Sequence, residues 1–198
     1  MLSSLSENLL VRRVAVVGCI GAGKSSVATR LGDVTGLPVL HLDRHWWQDG
    51  EYRITGPRSV AEHTMPPQAF RDLQLHLAAK DFWIIDGGYI GDLDTRLTRA
   101  DTVVFLDLPR RVCLWRLVRR HGKQRAGSPS HAREGFGWLL AQIRWVIRYP
   151  SQKRPAIERA VERYCSPSTE VVRLHRRAEV AEFLGQLEQR TSRHPPRP

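Results

Sequence analysis

The 198-residue sequence has few of the features that mark secreted, membrane or metal-cage proteins. Its three cysteines, Cys19, Cys113 and Cys165, are too few and too far apart for a disulfide framework or a zinc site. No apolar run approaches the roughly 18 residues that span a bilayer. The first residues lack the basic-then-apolar order of a secretory signal. We therefore expect a reduced, cytoplasmic protein that does not act in a membrane.

Acidic residues are scarce in one segment of the chain. Residues 109–163 contain 14 basic and 3 acidic residues, whereas the rest of the chain contains 17 of each. This one segment therefore accounts for the whole net charge of +11. A local cationic surface favours polyanionic partners, either nucleotide phosphates or a nucleic-acid backbone. The alternative is a solvated helical face in an arginine-rich protein.

The remaining composition is that of a globular domain, with 41% hydrophobic and 26% charged residues. Apolar and β-branched runs predict strands at 13–17, 39–43, 82–86, 102–107 and 170–175. Helical spacing predicts helices at 24–33, 67–80, 109–121, 136–148, 152–164 and 178–189. This alternation predicts an α/β domain with a parallel sheet, whose ligands bind at the carboxyl ends of the strands. We expect one domain over residues 1–190 and a flexible tail at 191–198.

The segment between the first predicted strand and helix fits the phosphate-binding loop G-x-x-x-x-G-K-[ST]. Its glycines let several backbone N–H groups converge on a phosphate at the start of the helix. Lys24 is expected to reach the β- and γ-phosphates, and Ser25 to supply a hydroxyl to Mg²⁺. The predicted nucleotide-binding residues of this loop are Gly18, Cys19, Ile20, Gly21, Ala22, Gly23, Lys24, Ser25 and Ser26.

Two absences restrict the class of nucleotide enzyme. Asn8 is the only asparagine, so the guanine-reading N-K-x-D motif of standard GTPases is excluded. Asp86 and Asp107 end predicted strands. Neither of them is followed by the glutamate that activates water in motor-type ATPases. The class that remains is a small P-loop kinase, for which the expected cofactors are ATP and Mg²⁺.

Several segments together resemble the DNA topology modulation proteins, a branch of the adenylate-kinase-like P-loop proteins. The resemblance covers roughly residues 13–183 and rests on GCIGAGKS, LPVLHLDRHWW, FWIIDGGYIGDLDTRL, ADTVVFLDLPRRVCLWRLVRR and a later KRP. It implies a three-layer P-loop kinase fold with a five-stranded parallel sheet and a basic helical lid over ATP, at about 116–150. It further implies that Arg116 lies against the adenine and that Arg120 reaches the phosphates.

Phosphoryl transfer depends on positioning and charge neutralisation, so cations and carboxylates near the loop are the candidates for catalysis. Asp86 ends a strand beside the loop and is expected to hold Mg²⁺ with Ser25. Asp43 is expected to accept the proton of the acceptor hydroxyl or to hold the acceptor. Arg116 and Arg120 lie four residues apart on one helix face. The predicted catalytic residues are Lys24, Asp43, Asp86, Arg116 and Arg120.

A second group of residues is expected to bind the acceptor. Trp46 and Trp47 have flat rings that stack on a base or another flat molecule. Arg96 follows the Asp86 loop and is expected to bind an acceptor phosphate. The predicted substrate-binding residues are Asp43, Trp46, Trp47, Gly87, Tyr89, Arg96, Arg144 and Arg148.

The sequence therefore predicts a phosphotransferase that uses Mg-ATP and a small-molecule or nucleotide acceptor. Two alternatives remain. In the first, the basic segment binds a nucleic-acid backbone and the protein is a nucleotide-responsive regulator. In the second, the protein binds ATP without catalysis. This second alternative is favoured only by Gly88, which stands where members of the similar family usually have asparagine.

Overall fold

A five-stranded parallel sheet forms the centre of the molecule in the computed structural model, which describes residues 12–46, 52–54, 64–125, 132–134 and 136–193. The sheet has the order β2-β4-β1-β5-β7, and a separate parallel pair is formed by β3 and β6. The strands are β1 (Arg13–Gly18), β2 (Val39–His41), β3 (Tyr52–Ile54), β4 (Trp83–Asp86), β5 (Thr102–Leu106), β6 (Ala132–Glu134) and β7 (Glu170–Leu174). The predicted five-stranded parallel sheet is confirmed.

Helices cover the central sheet. They are α1 (Lys24–Thr35), α2 (Leu42–Trp46), α3 (Pro67–Ala78), α4 (Asp94–Leu97), α5 (Arg110–Arg125), α6 (Phe136–Arg148), α7 (Arg154–Tyr164) and α8 (Arg177–Arg193). Helix α1 packs on α8, α7 packs on α4, and both α1 and α7 contact β1. Residues 14–17 of β1 are at most 1% exposed, so the strand is covered on both faces. The arrangement is the three-layer α/β fold that the sequence predicts.

The continuous apolar runs of β1 and β5 explain their central position. Every residue of β5 is buried, as are five of the six residues of β1. A strand with water on one face would show alternating polar side chains, and these two strands do not. Because β1 is the central strand, the loop that follows it lies at the middle of the carboxyl edge of the sheet.

Helix ends and turns depart from the expected boundaries at several points. Strand β2 ends at His41, and α2 begins at once, so Asp43 and Trp46 lie on a short helix instead of a strand end and a loop. Pro150 falls between the predicted helices at 136–148 and 152–164. It lies in a π-helical segment (Tyr149–Lys153) that joins α6 to α7 without a break, so the helical path continues past a residue that lacks a backbone N–H.

The last helix is longer than the sequence pattern indicates. Helix α8 includes residues 191–193 of the expected tail, and residues 194–198 lie outside the described residues. In the described ranges, none of the helices combines the length and the apolar character that crossing a bilayer requires.

Candidate active site

The loop between β1 and α1 requires glycine at specific positions. Gly18, Gly21 and Gly23 have φ angles of 144°, 78° and 94°, in the region that side-chain-bearing residues rarely adopt. A Cβ atom at Gly18 would collide with the carbonyl of Leu106, and one at Gly21 with the carbonyl of Cys113. The loop is therefore held tightly between β5 and α5, with the N-terminus of α1 behind it.

Lys24 folds back over this loop. Its Nζ donates to the Cys19 carbonyl at 3.0 Å. Burial lowers the pKa of Lys24, while the carboxylates of Asp43 and Asp86 act in the opposite direction. The Cys19 thiol is buried, and its hydrogen bond with Cys113, together with burial, raises its pKa. Lys24 is thus the residue of the loop that contributes a positive charge, whereas Cys19 stays a protonated thiol.

Ser25 and Asp86 are brought together as the metal prediction requires. The Ser25 hydroxyl donates to Oδ2 of Asp86 at 2.6 Å. The other oxygen, Oδ1, lies 2.5 Å from Nδ1 of His41, which is paired directly with Asp86 in the register of β2 and β4. A hydroxyl and a carboxylate beside a phosphate loop fit Mg²⁺, which binds through few protein ligands together with phosphate oxygens.

A cavity of about 920 Å³ extends over the loop. The loop follows the central strand β1, with β4 and β2 on one side and β5 and β7 on the other. Chain segments that follow β2 and β4 therefore lie on one side of the loop, and those that follow β5 and β7 lie on the other. We call the first side the acceptor end, lined by Asp43, Trp46, Gly88 and Tyr89, and the second side, with the loop, the nucleotide end.

Two of the predicted arginines line the nucleotide end. Arg116 donates from Nη1 to the Ala22 carbonyl at 2.6 Å, so α5 is attached directly to the loop. Arg120 donates from Nη2 to Oε1 of Gln142 on α6 at 2.9 Å. Burial and the positive charge of Arg177 lower the pKa of Arg116. Cations from α5 and α8 therefore approach one another beside the phosphate loop.

The acceptor end combines a carboxylate with aromatic rings. The Tyr89 hydroxyl donates to Oδ1 of Asp43 at 2.9 Å. The Trp46 ring lies 5.4 Å from the Tyr89 ring and 4.6 Å from the Phe70 ring, measured between ring centroids. Phe70 is only 1% exposed and also packs edge-on against Tyr89 at 4.6 Å. The buried Phe70 thus fixes the two rings that line the cavity.

Arg96 does not line the cavity, although it was expected to bind an acceptor phosphate. It is 1% exposed and donates to Oε1 of Gln74 and to the Gly87 carbonyl, each at 2.9 Å. Burial lowers its pKa to about 10, so the guanidinium stays charged at neutral pH. Helix α4 directs the Arg96 side chain inward. The contact between Arg96 and Gly87 therefore lies beneath the acceptor end and supports it.

Two other predicted residues do not line the cavity. Arg144 and Arg148 are exposed and do not line it, because α6 turns Leu139, Gln142 and Val146 toward the core. Trp47 lies outside the described residues.

Several lining residues were not anticipated from the sequence. Trp138 and Trp145 of α6 line the cavity together, and their spacing of seven residues was a signal that they share a helix face. Arg177, Val180, Ala181 and Leu184 of α8 also line it, but only the packing of α8 on α1 brings them there. His41 of β2 contacts Asp86, and no signal in the sequence pointed to this contact.

Known proteins share this architecture at low sequence identity. No known protein-family profile matches the chain. An uncharacterized protein of Bacillus subtilis (strain 168), YqaC, is 23% identical over 155 residues, which cover 77% of this chain and 81% of that protein. A shikimate kinase of Leptospira borgpetersenii serovar Hardjo-bovis is 28% identical over 112 residues, which cover 52% of this chain and 60% of that protein.

Among solved structures, the shikimate kinase of Acinetobacter baumannii in complex with shikimate superposes with a TM-score of 0.53. The match has 16% sequence identity and covers 94% of this chain and 97% of that one. The chain therefore has a kinase-like P-loop fold.

Proposed function

We propose that the protein is a phosphotransferase that moves the γ-phosphoryl group of Mg-ATP to a hydroxyl group of a small molecule. The observation that carries the proposal is the Ser25–Asp86 hydrogen bond of 2.6 Å beside the glycine loop, in a cavity whose other end presents Asp43. The fold and the kinases that resemble it support the same reaction class. The segments shared with DNA topology modulation proteins support a place in that branch.

The nucleotide end would hold the phosphates of ATP. Backbone N–H groups of the loop and the start of α1 bind phosphate oxygens, and Lys24 contributes a positive charge. Ser25 and Asp86 would hold Mg²⁺, which when bound neutralises charge on the β- and γ-phosphates. His41 fixes the orientation of Asp86 through Oδ1, and this leaves Oδ2 directed toward Ser25. Arg116 approaches from α5 and stabilises negative charge on the nucleotide.

Asp43 accepts a proton at the acceptor end. As the acceptor oxygen forms a bond to the γ-phosphorus, the bond from that phosphorus to the oxygen of the leaving ADP breaks. The hydroxyl proton passes to the carboxylate of Asp43. Tyr89 holds Oδ1 of that carboxylate by a hydrogen bond of 2.9 Å, which restricts its rotation. Trp138 and Trp145 form an apolar wall of the same cavity, and such a wall reduces the access of water to the transferred group.

ADP production from Mg-ATP tests this proposal directly. The wild-type protein is assayed alone and with a panel of nucleosides, nucleoside monophosphates, sugars and sugar acids, with Lys24→Ala as the control. The expected result is ADP production that one acceptor class stimulates and that Lys24→Ala abolishes. ADP production that no acceptor stimulates, or that Lys24→Ala retains, would contradict a phosphotransferase.

A second candidate function is favoured by the outer face of α5. Trp115 is 53% exposed, and the guanidinium of Arg119 lies 5.1 Å from its ring centroid. Exposed aromatic and cationic side chains of this kind bind single-stranded nucleic acids. The test is the anisotropy of labelled DNA across a salt series, with Trp115→Ala as the variant. Affinity that falls by about 0.9 log unit per log unit of salt for each neutralised phosphate would support a nucleic-acid partner.

A further inference from the structure

The acceptor end has a chemical character that restricts which hydroxyl compounds it takes. The Asp43 side chain is exposed and lines the cavity at the acceptor end. An incoming acceptor therefore meets the negatively charged carboxylate of Asp43 directly.

The buried guanidinium of Arg96 is not presented to an acceptor. The two terminal nitrogens of Arg96 both donate to protein oxygens, those of Gln74 and Gly87. These bonds direct the guanidinium beneath the Gly87 backbone, away from the cavity. An acceptor phosphate or carboxylate placed beside Asp43 would meet a like charge at short distance, which costs affinity in a partly desolvated cavity.

The rings of Trp46 and Tyr89 supply the other part of the site. Both rings line the cavity and are half-buried, and both pack on Phe70, so their positions are set before a ligand arrives. Apolar ring faces bind flat apolar surface, including the C–H face of a hydroxylated ring. A carboxylate accepts hydrogen bonds only, and it has room for more than the one from Tyr89. Asp43 therefore recognises donors, and hydroxyl groups are donors.

We propose that the acceptor is an uncharged, polyhydroxylated ring compound, such as a sugar or the sugar of a nucleoside, held by Asp43 against the rings of Trp46 and Tyr89. The inference rests on the proposed function, because it names the substrate class of that same site. It excludes a nucleoside monophosphate and a sugar acid as the preferred acceptors.

Matched pairs of acceptors test this inference. Each neutral compound is compared with its own anionic derivative: a nucleoside with its monophosphate, an aldose with its uronic acid, and a hexose with its hexose 6-phosphate. The measured quantity is kcat/KM for ADP production with the full chain. We expect the neutral member of at least one pair to be preferred about tenfold or more. Preference for the anionic member in every pair that reacts, or stimulation by no neutral compound, would overturn the proposal.

A ring variant distinguishes recognition from general damage. Trp46→Leu should raise the KM for the neutral acceptor about tenfold, with a smaller change in kcat, because it removes a binding surface and no reacting group. Phe82→Leu, which changes an exposed aromatic residue just before β4, is the control and should leave that KM unchanged. Equal effects of the two substitutions would overturn the role of the Trp46 ring.

The same experiment separates this inference from the proposed function. If Lys24-dependent ADP production occurs only with anionic acceptors, the phosphotransferase assignment stands and the substrate class is wrong. If no Lys24-dependent ADP production occurs with any acceptor, both proposals are wrong.

Discussion

The nucleotide end of the cavity is centred on consecutive residues of one loop, whereas the acceptor end is formed by side chains from three separate segments. Gly18 to Ser25 determine the loop through their own backbone angles and the start of α1. At the acceptor end, Trp46, Phe70 and Tyr89 come from α2, α3 and the turn after β4, and they depend on one another for position. A substitution at the nucleotide end is therefore expected to change phosphate binding. A substitution at the acceptor end is expected to change which acceptor is used.

The largest expected effect is at Lys24. Lys24→Ala should lower kcat/KM by about 10²–10³, the scale for losing one donor to the transition state. Lys80→Ala changes an exposed lysine just after α3 and is the matched control. Steady-state ADP production measures both. A Lys24→Ala enzyme within a few-fold of wild type would mean that the loop does not bind the reacting phosphates.

Asp86→Asn should lower turnover by about 100-fold, because the amide that replaces the carboxylate holds Mg²⁺ less well. The Mg²⁺ concentration for half-maximal activity should rise at the same time, as a magnesium titration of ADP production would show. Asp33→Asn, on the exposed face of α1, provides the control. An unchanged Mg²⁺ requirement in Asp86→Asn would contradict the metal assignment.

Beneath the acceptor end, the expected effect is on stability. Arg96→Met should lower the free energy of unfolding by about 2 kcal/mol, because Gln74 and the Gly87 carbonyl lose their buried donor. Urea unfolding measures this, with the exposed Arg99→Met as control. A stable Arg96→Met protein with a raised KM for an anionic acceptor would instead show that Arg96 binds substrate.

A smaller effect is expected at Arg177, on the side of the nucleotide end that faces α8. Arg177→Gln should raise the Kd of a nonhydrolysable ATP analogue about fivefold, since one of two neighbouring cations is lost. Arg176→Gln is matched in charge and adjacent in sequence, but Arg176 does not line the cavity. Calorimetric titration that shows equal Kd values for the two variants would remove Arg177 from the nucleotide site.

The smallest effect concerns pH. Burial lowers the pKa of Lys24, so its ammonium loses the proton at a lower pH than an ordinary lysine does. Bound phosphates favour the charged form of Lys24. Nucleotide binding is therefore accompanied by proton uptake when the pH approaches the lowered pKa of Lys24. Above that pH, the affinity for the nucleotide falls. Calorimetry between about pH 7 and pH 10, in buffers of different ionisation enthalpy, measures this uptake. Lys24→Arg should abolish it, and equal uptake in both proteins would contradict the assignment to Lys24.

The different construction of the two ends explains how much of the site the sequence predicts. The glycine spacing specifies the loop, and the strand order places Asp86 beside it, so Ser25 and Asp86 meet as expected. Arg116 lies beside Gly23 and the Ala22 carbonyl, and its expected place against the adenine stays a prediction. Each contact joins residues that are far apart in the chain, 61 and 94 positions, but one partner of each belongs to the glycine loop or the start of α1.

Residues whose direction depends on tertiary packing were predicted less well. Arg96 lies on a four-residue helix, and its contact with Gln74 of α3 decides that it points inward. Helix α6 is apolar on several faces, with Phe136 exposed and Leu139 buried, so the pattern does not show that Arg144 and Arg148 face outward. Arg177 enters the site only because α8 packs on α1, a contact that no local motif encodes.

The fate of the γ-phosphoryl group tests the central claim most directly. Phosphorus NMR follows Mg-ATP, the wild-type protein and the neutral acceptor that most stimulates ADP production. The expected result is a new phosphomonoester signal that grows in step with ADP and is absent with Lys24→Ala. Growth of inorganic phosphate alone, at the same rate with and without acceptor, would contradict it.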